Sequence, residues 1–319
     1  MKKVLSIVVI CCIVVASVCV LAACDNLNSD GKIKIVTTIF SEYDWTLNVL
    51  GEHAENAKVT NLLNSGVDMH SYQPSVADVA NIATCDLFIY VGGESDDWVE
   101  AALRQATNKD MLVIKLLDVV ADSALDEEHK DGMQGDEEDE GAADEHVWLS
   151  LKRAKVVVNA IADALAQLDA ANADDYAQNA ASYCDQIDKL DGQYQQAVAT
   201  AAHKTLVVAD RFPFLYLFKD YGLDYFAAFS GCSAETEASV ETIAFLVQKV
   251  DELQSNVLIK TETGNEKIAQ TIISELGNKN IKILTLNSLQ STSAQDRAKG
   301  TSYLSIMQSN LQVLSEAIG

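Results

Sequence analysis

The stretch KVTNLLNSGVDMHSYQPSVADVANIA (residues 58–83) contains a strand, a loop and a helix from which the rest of the fold can be worked out. Four of its first six residues are β-branched or apolar and predict a strand, and its last eight predict a helix. The loop GVDMHSYQPS (66–75) lies between them, so His70 follows the carboxyl end of a strand, where open α/β sheets bind ligands. A neutral imidazole near a carboxylate, here Asp68, is typical of a metal ligand.

A single loop histidine is also typical of an exposed side chain without a function, and a second motif is needed to decide. His146 lies in DEHVWLS (144–150), directly before another helical stretch. The two motifs together resemble those of the metal-binding lipoproteins that supply ABC importers of zinc and manganese. The resemblance covers nearly the whole chain after the leader, and it implies that His70 and His146 are metal ligands.

Strands alternate with helices along the chain, which predicts an α/β fold with mostly parallel sheets. We expect two lobes, each with a four-stranded sheet and flanking helices. A helix of about 28 residues is predicted from Asp174 to Ala201, and the resemblance implies that this helix joins the lobes rigidly. The predicted strands cover residues 33–39, 58–63, 87–92 and 111–117 in the first lobe, and 205–209, 224–229, 256–260 and 281–286 in the second.

The predicted domain organisation begins with a targeting segment. Residues 1–24 have a lysine-containing start, a long apolar run and the sequence LAAC (21–24), which resembles a bacterial lipobox. Cys24 is then the lipidated residue of an extracytoplasmic protein, and the alternatives are an ordinary secretory signal or a transmembrane anchor. The remaining segments are a tether (25–31), an N-terminal lobe (32–172), a linking helix (173–203) and a C-terminal lobe (204–319).

The composition favours a globular protein that binds a cation. The net charge is −24 and no basic cluster occurs, which argues against nucleic acid as a partner. Residues 122–145 hold twelve acids and one lysine, and they are predicted to form a disordered insertion. This insertion is either a solvated loop or a low-affinity collector of cations. The three cysteines that follow Cys24 are widely spaced and form no Cys-x-x-Cys, which argues against a thiolate zinc site.

The ligands from the second lobe are less clearly marked. The family pattern has a histidine or glutamate after the fifth strand, but Arg211 stands in that register, and an arginine cannot bind a metal. Its neighbour Asp210 is a candidate ligand, and the alternative is an Asp210–Arg211 ion pair. Glu262 ends another strand and is a candidate either as a ligand or as an acceptor that orients an imidazole. The last ligand of the family, an aspartate, is replaced by Asn287.

Three functions fit these features. The first is a monomeric, lipid-anchored binding protein without enzymatic activity, which captures Zn²⁺ or, as second choice, Mn²⁺ between the lobes and delivers it to the membrane permease of an ABC importer. The second is a secreted zinc-dependent hydrolase, although neither His-Glu-x-x-His nor Gly-x-Ser-x-Gly occurs. The third is an adhesin that keeps the metal-binding fold. The sequence favours the first of these.

Overall fold

Two sheets with the same strand order make up the computed structural model, which describes residues 31–134, 142–233, 237–277 and 280–319. In each sheet all neighbouring strands are parallel, and the orders are β2-β1-β3-β4 and β6-β5-β7-β8. This confirms the predicted α/β fold with two four-stranded sheets. The strands are β1 (Ile33–Thr37), β2 (Ala57–Asn61), β3 (Leu87–Tyr90), β4 (Leu112–Lys115), β5 (Thr205–Arg211), β6 (Asp224–Phe229), β7 (Val257–Thr261) and β8 (Lys282–Leu286).

Helices connect consecutive strands, as parallel pairing requires, because a tight turn cannot return the chain to the same end of the sheet. They are α1 (Phe40–Leu50), α2 (Val76–Ala83), α3 (Trp98–Leu103), α4 (Leu116–Val119), α5 (Leu151–Leu168), α6 (Ala173–Ala199), α7 (Leu215–Tyr221), α8 (Val240–Glu252), α9 (Lys267–Leu276), α10 (Ala294–Ala298) and α11 (Tyr303–Ile318). Within the described ranges, none of these helices combines the length and the apolar character needed to cross a membrane.

In each sheet the chain adds strands on both sides of a central strand, which is β1 in the first sheet and β5 in the second. In the first sheet Ile35 of β1 lies between Val59 of β2 and Leu87 of β3. In the second sheet Val208 of β5 lies between Ala227 of β6 and Ile259 of β7. The strand order reverses direction beside β1 and beside β5, so each sheet has a crevice at the carboxyl ends of its strands, where α/β proteins bind ligands.

The long helix α6 packs against helices of both lobes. Its buried residues recur every three or four positions, as an amphipathic helix requires. Tyr183 donates a hydrogen bond to Asp44 of α1 (3.1 Å), and Tyr194 donates one to the carbonyl of Met307 in α11 (2.6 Å). At 1.5 Å per residue the 27 residues span about 40 Å. The buried residues and these two hydrogen bonds therefore attach helices of both lobes to the single helix α6.

The prediction of disorder for residues 122–145 is wrong for the parts that the structure describes. Asp126 pairs with Ala143 in an antiparallel bridge, and Gln134 pairs with Phe229 at the end of β6. The ammonium group of Lys130 lies 3.9 Å from the centre of the Tyr225 ring. These contacts could not be predicted from the acidic composition, because backbone pairing and the position of one lysine do not depend on the average charge of a segment. The segment thus extends from the first lobe onto the second.

Two other predictions concern residues outside the described ranges. The leader with Cys24 lies there, as does most of the tether 25–31, of which the structure describes only Gly31. Residues 135–141, the centre of the acidic segment, are also outside.

Glu42 in the first turn of α1 is a fully buried carboxylate. Its Oε2 accepts hydrogen bonds from the backbone N–H groups of Thr38 (2.8 Å) and Ile39 (3.2 Å). Burial, and secondarily the charge of Asp96, raises the pKa of Glu42 from 4.5 to about 8. The folded protein therefore binds this proton more tightly than the unfolded chain does.

This shift predicts a pH dependence of stability that Glu42→Gln should remove. Because the pKa is raised in the folded state, wild-type protein should lose about 1.4 kcal/mol of unfolding free energy per pH unit, relative to the variant, between about pH 4.5 and 8. Denaturant titrations of both proteins across this interval measure the difference. Glu55→Gln, at an exposed position, is the control. Parallel curves for wild type and Glu42→Gln would contradict the assignment.

Candidate metal centre

The loop that carries His70 is shaped by a local cap and by one buried side chain. The carboxylate of Asp68 accepts a hydrogen bond from the backbone N–H of His70 (3.1 Å), which starts a 3-10 turn at Met69–Ser71. Met69 is buried and anchors the turn in the core. Gly66 has a φ of +79°, a left-handed conformation that glycine adopts without strain. These features hold His70 at the carboxyl end of the first sheet.

His146 is held from three sides. Its side chain is fully buried, and Asp144 Oδ1 accepts from its backbone N–H (2.8 Å) and lies 3.1 Å from its Nδ1. A 3-10 turn at Val147–Leu149 follows and leads into α5. The loop after β6 approaches the ring so closely that a Cβ at Gly231 would lie 3.0 Å from the Cε1 atom of His146. A larger residue at that position would displace the imidazole.

The distance between the two imidazoles matches that of two nitrogen ligands on a tetrahedral zinc ion. The Nε2 atoms of His70 and His146 are 3.3 Å apart. Two nitrogens bound to zinc at about 2.05 Å with tetrahedral angles are separated by about 3.3 Å. Each Nδ1 has another partner, the Ser95 hydroxyl for His70 (2.7 Å) and Asp144 for His146. Such partners orient a histidine ligand and leave its Nε2 available.

The electrostatic surroundings keep at least one ring neutral. Burial, followed by the proximity of His146, lowers the pKa of His70 to about 3. Burial acts in the same direction on His146, but the carboxylate of Asp144 outweighs it and raises the pKa of that ring. His70 therefore offers an unprotonated nitrogen at neutral pH. His146 can do the same when its Nδ1–H is donated to Asp144.

The structure does not bring Asp210 into the histidine cluster. Its side chain is buried between β5 and β7, where Oδ2 accepts hydrogen bonds from the backbone N–H (2.9 Å) and hydroxyl (2.7 Å) of Thr261. Its other oxygen accepts from the backbone N–H of Arg211 (2.9 Å). The two bonds with Thr261 connect β5 to β7, the central strands of the second sheet. The role of Asp210 as a ligand stays a prediction from the sequence.

Glu262 shapes the loop after β8. Its carboxylate accepts from the backbone N–H and hydroxyl of Ser288 (2.8 Å each) and from the hydroxyl of Ser291 (3.1 Å). The loop that it holds presents Gln290, whose amide nitrogen lies 3.1 Å from Nε2 of His70. Glu262 thus positions the loop whose Gln290 contacts His70. The role of Glu262 as a direct metal ligand also stays a prediction.

Asn287 is engaged in the same loop. Its side-chain oxygen accepts from the backbone N–H of Leu289 (2.8 Å), and its carbonyl accepts from the side chain of Asn310 (2.8 Å). These bonds fix the end of β8 to α11.

Arg211 forms an ion pair across the cleft. Its Nη2 atom lies 2.7 Å from Oδ2 of Asp68, and both side chains are largely buried, with 17% and 13% exposed. Burial alone would raise the pKa of the Asp68 carboxyl, but Arg211 and His70 together hold it below the ordinary value. Since Asp68 also caps the turn of His70, this pair couples the second lobe to the position of that imidazole.

Two further residues at the centre were not predicted from the sequence. Among the described residues, His70, His146 and Cys232 form a group whose ligand atoms all lie within 4.8 Å of one another. Gln290 is the second, through its contact with His70. Both follow the end of a strand, as His70 does, and this shared position was the available signal. No local Cys-x-x-Cys marks Cys232, because its partners in the cluster come from distant loops.

Comparisons with known proteins agree with this architecture. The family described as zinc-uptake complex component A, periplasmic (ZnuA) matches residues 35–317. The zinc-binding lipoprotein AdcA of Streptococcus pneumoniae is 32% identical over 308 residues, which cover 95% of this chain and 60% of that protein. The high-affinity zinc uptake system protein ZnuA of Bacillus subtilis is 29% identical over 316 residues, 96% of each chain. The chain thus spans about 60% of the length of the AdcA relative.

Solved structures show the same fold. The Zn(II)-bound ZnuA-like domain of Streptococcus pneumoniae AdcA superposes with a TM-score of 0.72 at 30% identity, covering 90% of this chain and 99% of that one. The metal-dependent lipoprotein YcdH of Bacillus subtilis gives a TM-score of 0.75 at 28% identity, covering 90% and 100%. Because the family match extends over nearly the whole described chain, this protein belongs to the family of zinc-uptake complex component A.

Proposed function

We propose that this protein captures Zn²⁺, with Mn²⁺ as the weaker alternative, in the cleft between its lobes and delivers it to the permease of an ABC importer. The observation that carries the proposal is the His70–His146 pair, with its Nε2 atoms 3.3 Å apart and each Nδ1 engaged by another group. Borderline metals such as zinc prefer imidazole nitrogen, whereas manganese prefers oxygen. The names of the relatives, which are zinc-binding and zinc-uptake proteins, support the same metal.

Hydrolysis is less well supported by the site. A zinc hydrolase needs an open coordination position for water and a carboxylate free to act as a base. Two of the carboxylates beside the histidines have other partners, since Asp144 contacts His146 and Asp68 pairs with Arg211, whereas Oε2 of the buried Glu145 accepts no hydrogen bond from the described residues. One structural relative, the laminin-binding protein Lmb of Streptococcus agalactiae, is 26% identical and is described as a bifunctional protein with adhesin and metal transporting activity. No described contact of this chain favours that second role.

Zinc titration calorimetry on residues 32–319 tests the proposed ligands. We expect one tight zinc site per chain and a loss of affinity of at least about 100-fold in His70→Ala and in His146→Ala, since even removing groups that only orient a ligand costs 10- to 100-fold. His203→Ala, at an exposed position outside the cleft, is the control and should bind like wild type. Undiminished zinc binding in both cleft variants would refute the assignment.

The ion pair across the cleft provides a second test. Asp68→Asn and Arg211→Gln should each weaken zinc binding about 10-fold, because the turn of His70 loses its anchor. The double variant should be no weaker than either single one, as expected for residues that act as a pair. Lys282→Gln, which breaks the exposed ion pair with Glu316, is the matched control. Additive losses would mean that the two residues act independently.

We further propose that the mature protein is an extracytoplasmic monomer anchored through a lipid on Cys24. The support is the LAAC sequence after the apolar leader, together with a relative that is named a lipoprotein.

Replacing Cys24 tests the anchor in cells. Cys24→Ala should abolish incorporation of a labelled fatty acid, because the variant lacks the cysteine sulfur that carries the lipid. The amount of lipid-modified protein in the membrane fraction should fall accordingly. Cys184→Ala is the control. Equal labelling of the Cys24 variant would exclude this lipidation site.

A further inference from the structure

The loop after β6 brings a cysteine to the histidine pair from the second lobe. β6 ends at Phe229, Gly231 packs against the ring of His146, and Cys232 follows directly. The backbone N–H of Cys232 donates to Glu127 of the acidic segment (3.2 Å), which fixes this loop from the other side. The thiol of Cys232 thus lies within 4.8 Å of a ring nitrogen of each histidine.

The histidine pair by itself supplies only half of the donors that zinc requires. Structural zinc sites are almost always four-coordinate, with ligands drawn from imidazole, thiolate and carboxylate. The side chain that the second lobe extends toward the His70 loop at the end of β5 is Arg211, which carries no lone pair to offer. Asp210 and Glu262 are each held by three hydrogen bonds from neighbouring residues.

The distances permit the cysteine to bind after a small movement. With Zn–S of about 2.3 Å, Zn–N of about 2.05 Å and tetrahedral angles, sulfur and nitrogen are about 3.6 Å apart. Since the ligand atoms all lie within 4.8 Å of one another, the sulfur has to move by at most about 1.2 Å. The described residues 230–233 of this loop lie outside the helices and strands, and a small shift of Cys232 closes that distance. The amide of Gln290, 3.1 Å from His70, is placed to offer its oxygen as a fourth donor after rotation.

We propose that Cys232 binds the captured metal as a thiolate, so that the site is built from two histidines of the first lobe and one cysteine of the second. On binding, the S–H bond breaks, the metal–sulfur bond forms and the proton passes to solvent, with no change of oxidation state. The inference rests on the proposed metal-binding function and specifies its donor set. A soft sulfur donor makes the site selective for zinc, cobalt and cadmium over manganese.

Cobalt substitution of residues 32–319 tests the donor directly, because a thiolate bound to Co²⁺ gives an intense ligand-to-metal charge-transfer band in the near ultraviolet. We expect this band in wild type and in Cys184→Ser, and its loss in Cys232→Ser. Zinc affinity should fall at least about 10-fold in Cys232→Ser, while manganese affinity should stay the same, since only the soft donor is removed.

A measurement on wild type alone covers the case in which Cys232→Ser misfolds. Stoichiometric Zn²⁺ should protect Cys232 from alkylation by iodoacetamide, whereas Mn²⁺ should not, and Cys184 should react equally under all conditions. Mass spectrometry of the peptides measures both. A wild-type cobalt complex without the thiolate band, or equal alkylation with and without zinc, would overturn the cysteine ligand and leave the proposed function intact. Failure of wild type to bind zinc at all would overturn both.

Discussion

The long helix α6 is the constraint on which the rest of the structure depends. Tyr183 of α6 forms a hydrogen bond to α1, and Tyr194 forms one to α11. One continuous helix therefore contacts helices of both lobes. The acidic segment and the Asp68–Arg211 pair add two further ties between the lobes. A metal site with donors from both lobes needs the lobes held at fixed distances. With a flexible hinge, ordering the two lobes would cost conformational entropy each time a metal binds.

The sequence predicted the regular elements well because their signals are local. The strands Thr205–Arg211 and Val257–Thr261, for example, were predicted at 205–209 and 256–260 from short runs of β-branched and apolar residues. Helix α6 shows its buried stripe in the spacing of its tyrosines with Ile187 and Leu190. The described parts of the acidic segment, 122–134 and 142–145, were mispredicted for the opposite reason. Their structure comes from single contacts, such as that of Lys130 with Tyr225, and average composition carries no information about them.

The same distinction separates the parts of the site that could be foreseen from those that could not. His70 and His146 stand in recognisable local motifs, and their positions beside a strand end and before a helix suggested a shared cleft. Gln290 is 220 residues from its partner His70, and Cys232 joins the cluster because the loop after β6 approaches the ring of His146. No spacing rule connects residues so far apart, since the connection is made by the packing of two sheets.

Arg211 explains why a donor such as Cys232 is needed. The guanidinium pairs with Asp68, and this removes from the donor set the carboxylate closest in sequence to His70. Asp144 is likewise committed to His146 and contributes one negative charge near the metal. A divalent ion here would lie among several carboxylates, because Glu145, Glu127 and Asp144 are close enough to Cys232 to add to burial in raising the pKa of its thiol. A coordinating metal deprotonates a thiol, so the ion itself would stabilise the Cys232 thiolate that these surroundings otherwise disfavour.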